Sequence, residues 1–264
     1  MIERALRIGL QLQPQHMDYQ TIRRTAAEAE ELGLDVLFNW DHFYPLYGEP
    51  DGQHFECWTM LGAWAEATTR LEFGALVTCN SYRNPDLLAD MARTVDHISD
   101  GRLIFGIGSG WFERDYDEYG YEFGTAGGRL DALAEALPRI QSRWERLNPA
   151  PTRKIPVMIG GGGEKKTLKL VARYADIWHC FADAETLEHK LGVLRAHCAD
   201  QGRDPAEIEI SVAGGSGERG PEELGERYYE LGARMVTLHT GGPKPDLGPL
   251  REWLAWRDEK NRAS

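Results

Sequence analysis

An acid and a histidine stand side by side in the segment Asn39-Trp40-Asp41-His42-Phe43. Histidine titrates near neutral pH, so His42 with Asp41 could position or exchange a proton at a reacting group. The other interpretation is that Asp41 caps the loop and His42 only packs. The dipeptide alone leaves both interpretations open.

Four consecutive glycines precede a predicted helix: Gly160, Gly161, Gly162 and Gly163. Glycine lets backbone N–H groups approach an anion, and the N-terminus of a helix adds a favourable field. Lys165 and Lys166 follow and either add positive charge or are solvated. The segment predicts phosphate binding rather than a plain strand-to-helix turn. Its spacing matches neither a Walker motif nor the G-x-G-x-x-G dinucleotide fingerprint.

A third segment of small residues runs from Gly106 to Trp111 and includes Ser109. Small side chains here could admit a planar ring against the backbone, or they could only relieve crowding at the end of a strand. Three charged residues follow at positions 113–115, and any of them could face a cavity.

Apolar, β-branched runs alternate with helical patterns along the chain, which is typical of a parallel sheet covered by helices. The predicted strands are Leu6–Leu12, Asp35–Asn39, Leu71–Thr78, Leu103–Ile107, Pro156–Ile159, Asp176–Cys180, Glu207–Val212 and Met235–His239. The predicted helices are Tyr19–Leu32, Cys57–Thr69, Pro85–Ile98, Arg129–Arg146, Glu164–Tyr174, Ala184–Ala199, Pro221–Leu231 and Asp246–Asn261. Eight such units favour an α/β fold, a closed (β/α)8 TIM barrel formed by residues 1–264 as one domain. An open, doubly wound sheet is the alternative.

In such a barrel the functional face lies at the carboxyl ends of the strands. Five of the eight histidines fall at or just after predicted strand ends: His16, His42, His54, His179 and His239. Four tryptophans are placed similarly: Trp40, Trp58, Trp111 and Trp178. Aromatic walls with a few polar groups suit a planar, mostly apolar cofactor.

The bulk composition excludes several classes of partner. The chain has 30 basic and 42 acidic residues and a formal net charge of −12, which argues against nucleic acid. No apolar run approaches the roughly 20 residues that span a bilayer, and no signal peptide is evident, so we expect a cytoplasmic protein. The cysteines form no C-x-x-C pair, and the adjacent His179 and Cys180 point to opposite faces of one strand, so we expect no metal site.

Several segments, in this order, resemble the luciferase-like monooxygenase superfamily, and specifically its short branch of deazaflavin (coenzyme F420)-dependent oxidoreductases. The similar segments are Asn39–His42, Leu76–Thr78, Tyr82–Pro85, Thr94–Leu103, Gly108–Glu113 and Pro156–Gly163. They lie within residues 6–180, and the resemblance weakens towards the C-terminus.

The resemblance implies a luciferase-like (β/α)8 barrel with a cofactor site after strands three, four and five: Leu76, Val77, Thr78, Cys79, Asn80, Ser109, Gly160, Gly161, Gly162 and Gly163. It implies a non-proline cis peptide near Leu76-Val77 behind the cofactor ring, and glycines that hold the phosphate. It also implies that Asp41 and His42 lie beside the ring.

Two departures from the family pattern bear on cofactor and substrate. Many flavin mononucleotide (FMN) members have an arginine near the position of Ser109, and its absence favours F420. Some F420 dehydrogenases have a catalytic glutamate where this chain has Trp111, with Glu113 two positions on. We therefore expect reduction of an organic substrate rather than dehydrogenation of a sugar phosphate.

The resulting prediction is an oxidoreductase in which reduced F420 gives a hydride to a small unsaturated or carbonyl compound. The predicted catalytic residues are His42, first for proton handling, with Asp41 and Glu113. The alternatives are an FMN-dependent monooxygenase and, from another class, a cofactor-binding protein without turnover. A homodimer is possible, because barrels of this family often dimerise.

Overall fold

The computed structural model describes residues 4–215 and 219–263. Its strands are β1 (Arg7–Leu12), β2 (Val36–Asn39), β3 (Glu72–Ala75), β4 (Thr78–Cys79), β5 (Leu103–Gly108), β6 (Val157–Gly160), β7 (Ile177–Cys180), β8 (Glu209–Gly215) and β9 (Ala233–Thr240). Its α-helices are α1 (Tyr19–Glu31), α2 (Cys57–Ala67), α3 (Pro85–Ile98), α4 (Glu113–Tyr119), α5 (Ala126–Arg146), α6 (Thr167–Tyr174), α7 (Ala184–Asp200), α8 (Glu226–Glu230) and α9 (Gly248–Ala263).

The strands form one parallel sheet that closes on itself. Their order is β3-β2-β1-β9-β8-β7-β6-β5-β4, and β3 also pairs with β5. Since β3 and β4 are two parts of the third barrel strand, the barrel has eight strand positions. The predicted (β/α)8 barrel is confirmed, and the open doubly wound alternative is wrong.

The third barrel strand is interrupted at the predicted position. Phe73 pairs with Leu103, and Thr78 pairs with Ile107, so five residue steps on this strand match four on β5. The peptide between Leu76 and Val77 is cis. The sequence predicted one continuous strand, Leu71–Thr78, whereas the structure has a bulge between two short strands.

The helices begin and end close to the predicted positions where local signals are strong. Asn84 accepts a hydrogen bond from the backbone N–H of Asp86 at 2.9 Å, and Pro85 is the first residue of α3. Helix α4 lies between the predicted strand Leu103–Ile107 and the predicted helix Arg129–Arg146, where we predicted no helix. It has little apolar periodicity, but it buries Asp115 and Tyr116.

Two further helices differ from the predicted bounds. Helix α6 begins at Thr167 rather than Glu164, because the turn after β6 takes up three more residues and includes Gly161 at φ 120°. A π-helical turn, Pro221–Gly225, replaces the first part of the predicted seventh helix, Pro221–Leu231.

The apolar core has two layers, one inside the barrel and one between barrel and helices. The interior layer consists of buried apolar side chains: Val36, Phe38, Leu76, Ile104, Met158, Ile177 and Met235. Below it, Arg7 pairs with Glu72 and, at 2.8 Å, with Glu209, which closes the amino-terminal end with paired charges. Within the described ranges, no helix is long and apolar enough to cross a membrane.

Candidate functional site

A cavity of about 640 Å³ opens at the carboxyl ends of the strands. Its walls come from every side of the barrel: Gln11, Gln13, Trp40, Asp41, His42, Leu46, Tyr47, Leu76, Val77, Thr78, Cys79, Tyr82, Gly108, Ser109, Gly110, Trp111, Gly160, Gly161, Phe181, Ala213, Gly215 and His239. The volume is in the range of small-molecule and cofactor sites, and the lining is mainly apolar.

Val77 lies over a gap left by three glycines on the neighbouring strands. A Cβ atom at Gly106 would overlap the Ala75 carbonyl oxygen and lie 3.4 Å from Val77 Cγ1. A Cβ atom at Gly108 would lie 2.8 Å from Val77 Cγ2, and one at Gly160 would lie 3.0 Å from Val77 Cγ1. Gly106 therefore makes room mainly for the backbone of the interrupted strand. Gly108 and Gly160 make room for its Val77 side chain, in line with the interpretation that small residues here relieve crowding.

Asp41 is almost fully buried, and its carboxylate is occupied by protein groups. Thr78 Oγ1 donates to Oδ2 at 2.6 Å, and the backbone N–H of Cys79 donates at 3.0 Å. Arg83 donates from both Nη atoms, at 2.5 and 3.1 Å. Burial alone would lower the pKa of Arg83, but Asp41 and neighbouring groups raise it overall. Asp41 thus ties the loop after β2 to the third strand, with its charge paired.

His42 lies on the cavity wall and contacts a different acid. Its Nδ1 is 2.7 Å from Asp115 Oδ2, and the Asp115 side chain has no exposed surface. No hydrogen bond joins Nε2 to any residue of the described ranges. A ring with Nδ1 held by a buried carboxylate and Nε2 unbonded beside a cavity can exchange a proton at Nε2.

Asp115 is held by four donors in all. Its Oδ1 accepts from the backbone N–H groups of Phe43 and Tyr44 at 3.1 Å each. The Tyr82 hydroxyl donates to Oδ2 at 3.0 Å, and burial with nearby acidic groups raises the pKa of Tyr82, so the phenol stays protonated. The carboxylate therefore has a fixed position behind His42.

The structure does not bring Glu113 to the cavity. Glu113 is exposed at the first position of α4, whereas Asp115, two residues on, faces inward. The sequence named both residues among three candidates, but without a helix in this segment it could not tell which one pointed to the barrel.

The turn after β6 has both bonded and unbonded backbone groups. Gly161 donates to the His179 carbonyl at 3.1 Å and accepts from Trp178 Nε1 at 2.8 Å. The N–H groups of Gly162 and Gly163 have no acceptor in the described part of the chain. Lys190 on α7 donates to the Gly162 carbonyl at 2.6 Å, which places a cation at this turn. No sequence signal indicated Lys190.

The other predicted cofactor residues are divided between the cavity wall and its surroundings. Those on the wall are Leu76, Val77, Thr78, Cys79, Ser109, Gly160 and Gly161. Asn80 is buried in the turn after β4, with Oδ1 lacking a partner in the described ranges. Gly162 and Gly163 lie next to the wall rather than on it.

The five histidines predicted at the functional face have different environments. His16 Nε2 lies 2.8 Å from the Tyr47 carbonyl oxygen. His42 and His239 line the cavity. His54 accepts from Trp40 Nε1 at 3.0 Å, and burial together with nearby His42 lowers its pKa to about 4. His179 is fully buried under the cavity and bonds Ser211 Oγ at 2.8 Å.

Known proteins similar to this chain include two curated enzymes and a solved structure. An F420-dependent glucose-6-phosphate dehydrogenase of Amycolatopsis mediterranei is 29% identical over 189 residues, 64% of this chain and 54% of that protein. A phthiodiolone/phenolphthiodiolone dimycocerosates ketoreductase of Mycobacterium bovis is 28% identical over 246 residues, 84% of this chain and 61% of that one. The structure of an F420-dependent secondary alcohol dehydrogenase with an F420-acetone adduct superposes with a TM-score of 0.82 and 19% identity. It covers 93% of this chain and 96% of its own, and at that identity the likeness concerns the fold.

The family model described as luciferase-like monooxygenase matches residues 5–216. That span includes the strands β1–β8 and every cavity residue named above except His239. The chain therefore belongs to the luciferase-like monooxygenase family and is an enzyme of that superfamily.

Proposed function

We propose that this enzyme binds coenzyme F420 and reduces a small carbonyl or unsaturated organic compound. The observation that carries the proposal is the His42–Asp115 pair on the wall of a cavity beside the interrupted third strand. Similar proteins whose names include F420 support the choice of cofactor, as does Ser109 in place of an arginine.

The residues present fit a deazaflavin. The cavity is large and mainly apolar, which suits a planar ring system. At one side, the unbonded N–H groups of Gly162 and Gly163 and the ammonium group of Lys190 suit a phosphate. Leu76, Val77 and Ser109 would contact the ring, and the glycine turn 160–163 would hold the anionic tail.

When bound, reduced F420 would supply the hydride for the carbonyl carbon, or for the β-carbon of an enone, and would itself become oxidised. His42 would give the matching proton from Nε2 to the oxygen or the α-carbon. Asp115 would keep Nδ1 protonated and stabilise the positive charge on the ring before transfer. Trp40, which is almost fully buried and lies edge-to-face with His42, would exclude water from one side of this ring.

Asp41 receives a positioning role in this proposal rather than a proton-handling one. Its carboxylate is paired with Arg83 and accepts from Thr78, so it has no proton to give. It would hold the third strand in the position that places Val77 on the cavity wall.

A monooxygenase that uses FMN is the second candidate, because the family description names that activity. Equilibrium fluorescence titration of the purified enzyme with F420 and with FMN separates the two. We expect F420 to bind at least about tenfold more tightly, a difference of about 1.4 kcal/mol. The reverse order would reject the cofactor assignment and leave the family membership intact.

The anionic end of the site is tested by a matched pair of lysine variants. Lys190→Met removes the cation at the Gly162 carbonyl and should weaken F420 binding about tenfold or more, the scale of one charge-assisted hydrogen bond. Lys165→Met removes an exposed cation from the same turn and should change affinity little. If the two variants weaken F420 binding equally, the affinity depends on the net positive charge near the turn and not on the contact made by Lys190.

A further inference from the structure

The proposed function leaves the chemical class of the substrate open, and the charges of the cavity wall bear on it. Among the described residues on that wall, Asp41 is the one carboxylate, and no lysine or arginine is present. Asp41 is 1% exposed and is paired with Arg83 at 2.5 Å. The described part of the wall therefore carries no lysine or arginine to pair with an anionic substrate, and the positive charge of a protonated His42 ring would be balanced by the buried Asp115 carboxylate.

The other polar groups on the wall include neutral hydrogen-bonding groups. Gln11 uses its amide to donate to the Leu76 carbonyl at 2.9 Å. Ser109 and Gln13 add a hydroxyl and a second amide. A carboxylate or phosphate placed in this cavity would lose its hydration without gaining a lysine or arginine as partner, which is unfavourable.

Three large aromatic side chains at the opening are mostly exposed. The exposed fractions are 63% for Trp111, 65% for Phe181 and 53% for Tyr47, and they follow β5, β7 and β2 respectively. Exposed aromatic groups around one opening mark a surface that an apolar ligand covers. All three line the same cavity.

Trp111 also lies next to the proposed proton donor. Its ring centroid is 5.7 Å from that of His42, in an edge-to-face arrangement. Most of the Trp111 side chain remains exposed beside this contact. A substrate whose oxygen reaches His42 would therefore lie close to Trp111.

We propose that the substrate is an uncharged ketone or enone with an apolar, aryl or long alkyl part that contacts Trp111 and Phe181. This inference rests on the proposed function and deepens it. An anionic substrate such as a sugar phosphate is disfavoured because the described part of the wall has no lysine or arginine and His42 is already paired with Asp115.

The test uses 4-phenyl-3-buten-2-one and its para-carboxylate, which differ in one charged group. In the absence of oxygen, absorbance is used to follow the oxidation of reduced F420 bound to the enzyme. We expect kcat/KM to be at least 30-fold higher for the neutral enone. Trp111→Ala should raise KM for that enone at least tenfold, mainly through binding, and Phe181→Ala is a second variant of the same kind.

Leu87→Ala is the matched control, because Leu87 is 55% exposed on α3, outside the cavity wall. It should leave KM unchanged. Equal or better use of the carboxylate, or equal effects of the Leu87 and Trp111 variants, would overturn the inference and leave the proposed function standing.

Equilibrium dialysis of both compounds against the enzyme saturated with oxidised F420 gives a readout that needs no turnover. If neither compound oxidises the cofactor, the reductase proposal fails for these substrates, and the dissociation constants still decide the inference. Tighter binding of the neutral compound supports it, and equal or weaker binding contradicts it.

Discussion

Asp41 and His42 are neighbours in the chain but belong to different networks. Asp41 bonds Arg83 and the third strand, whereas His42 bonds Asp115, 73 positions away. The sequence left open whether this pair handles a proton or whether Asp41 caps the loop and His42 only packs, and it did not indicate their partners. Hydrogen bonds between residues so distant depend on how the loops after β2 and β5 meet, and no local pattern encodes that.

Asp115→Asn should reduce turnover by about 100-fold or more while leaving F420 affinity within about twofold. The amide keeps the shape and can still accept from Phe43 and Tyr44, but its NH2 group would force His42 Nδ1 to accept a hydrogen bond. No carboxylate would then balance the positive charge of a His42 ring that carries the transferable proton on Nε2. Steady-state rates and cofactor titration of the same preparation separate the two effects.

Asp117→Asn is the control, because Asp117 is exposed on the same short helix. It removes the same charge at a similar place and should leave the rate unchanged. If the Asp115 and Asp117 variants lose activity equally, the effect of Asp115 is one of net charge, and the proposed pair with His42 has no catalytic role.

His179 should make the protein sensitive to acid. Burial lowers its pKa from 6.5 to about 3, so the unfolded chain binds the proton more tightly. The free energy of unfolding should therefore fall as the pH drops from about 6.5 towards 3, by up to about 1.4 kcal/mol per pH unit from this group. His179→Gln keeps a polar partner for Ser211 and should show a shallower decline in urea unfolding between pH 7 and pH 4.5. An unchanged slope would mean that His179 titrates alike in both states.

At the scale of single elements, the third strand and its neighbours account for most of the cavity geometry that the sequence did not predict. The resemblance predicted a cis peptide at Leu76-Val77, and the structure has it. The glycines at 106, 108 and 160 were assigned to ligand contact or to relief of crowding, and the structure shows them beside Val77. Which side chain enters a gap depends on strand register, and one extra residue in a strand changes that register.

Gly160→Ala should weaken F420 binding about tenfold. The new methyl group would lie 3.0 Å from Val77 Cγ1 and 3.3 Å from Cγ2, so it would push Val77 towards the cavity. Fluorescence titration measures the loss of affinity, and thermal unfolding without cofactor reports any change in stability.

Gly192→Ala is the matched control on α7, where an added Cβ atom meets nothing within 4 Å. It should leave affinity unchanged and raise stability by about 0.5–1 kcal/mol, because alanine is a better helix former. Normal cofactor binding by Gly160→Ala would show that Val77 can move aside and that these glycines do not set the width of the cavity.

At the scale of the whole molecule, alternation of strands and helices was enough to predict the barrel. The alternation of strand and helix hydrophobic patterns predicts eight parallel strand positions. The location of polar residues at strand ends predicts the functional face. Strand β9 lies outside the span of the family match, residues 5–216, yet it pairs with both β1 and β8 and closes the barrel. Its apolar pattern, rather than the resemblance, predicted it.

Which of the predicted site residues reach the cavity was predictable only in part, for a physical reason. Residues at strand ends, such as Thr78 and Ser109, reach the cavity because the strands fix them. Asn80 and Gly163 lie in turns after strand ends and Glu113 begins α4, and none of the three lines the cavity. Arg83 precedes α3 and Lys190 lies on α7, so their contacts depend on how these helices pack against the barrel.

The central claim is that reduced F420 on this enzyme passes a hydride to a carbonyl or unsaturated compound. The most direct measurement mixes enzyme carrying one equivalent of reduced F420 with 4-phenyl-3-buten-2-one in the absence of oxygen and follows absorbance through a single turnover. We predict stoichiometric oxidation of the cofactor with one equivalent of reduced product, and slow oxidation by the Asp115→Asn enzyme. No oxidation by any of a panel of ketones and enones, with oxidation only after oxygen is admitted or none at all, would contradict the claim and favour a monooxygenase or a protein that binds the cofactor without turnover.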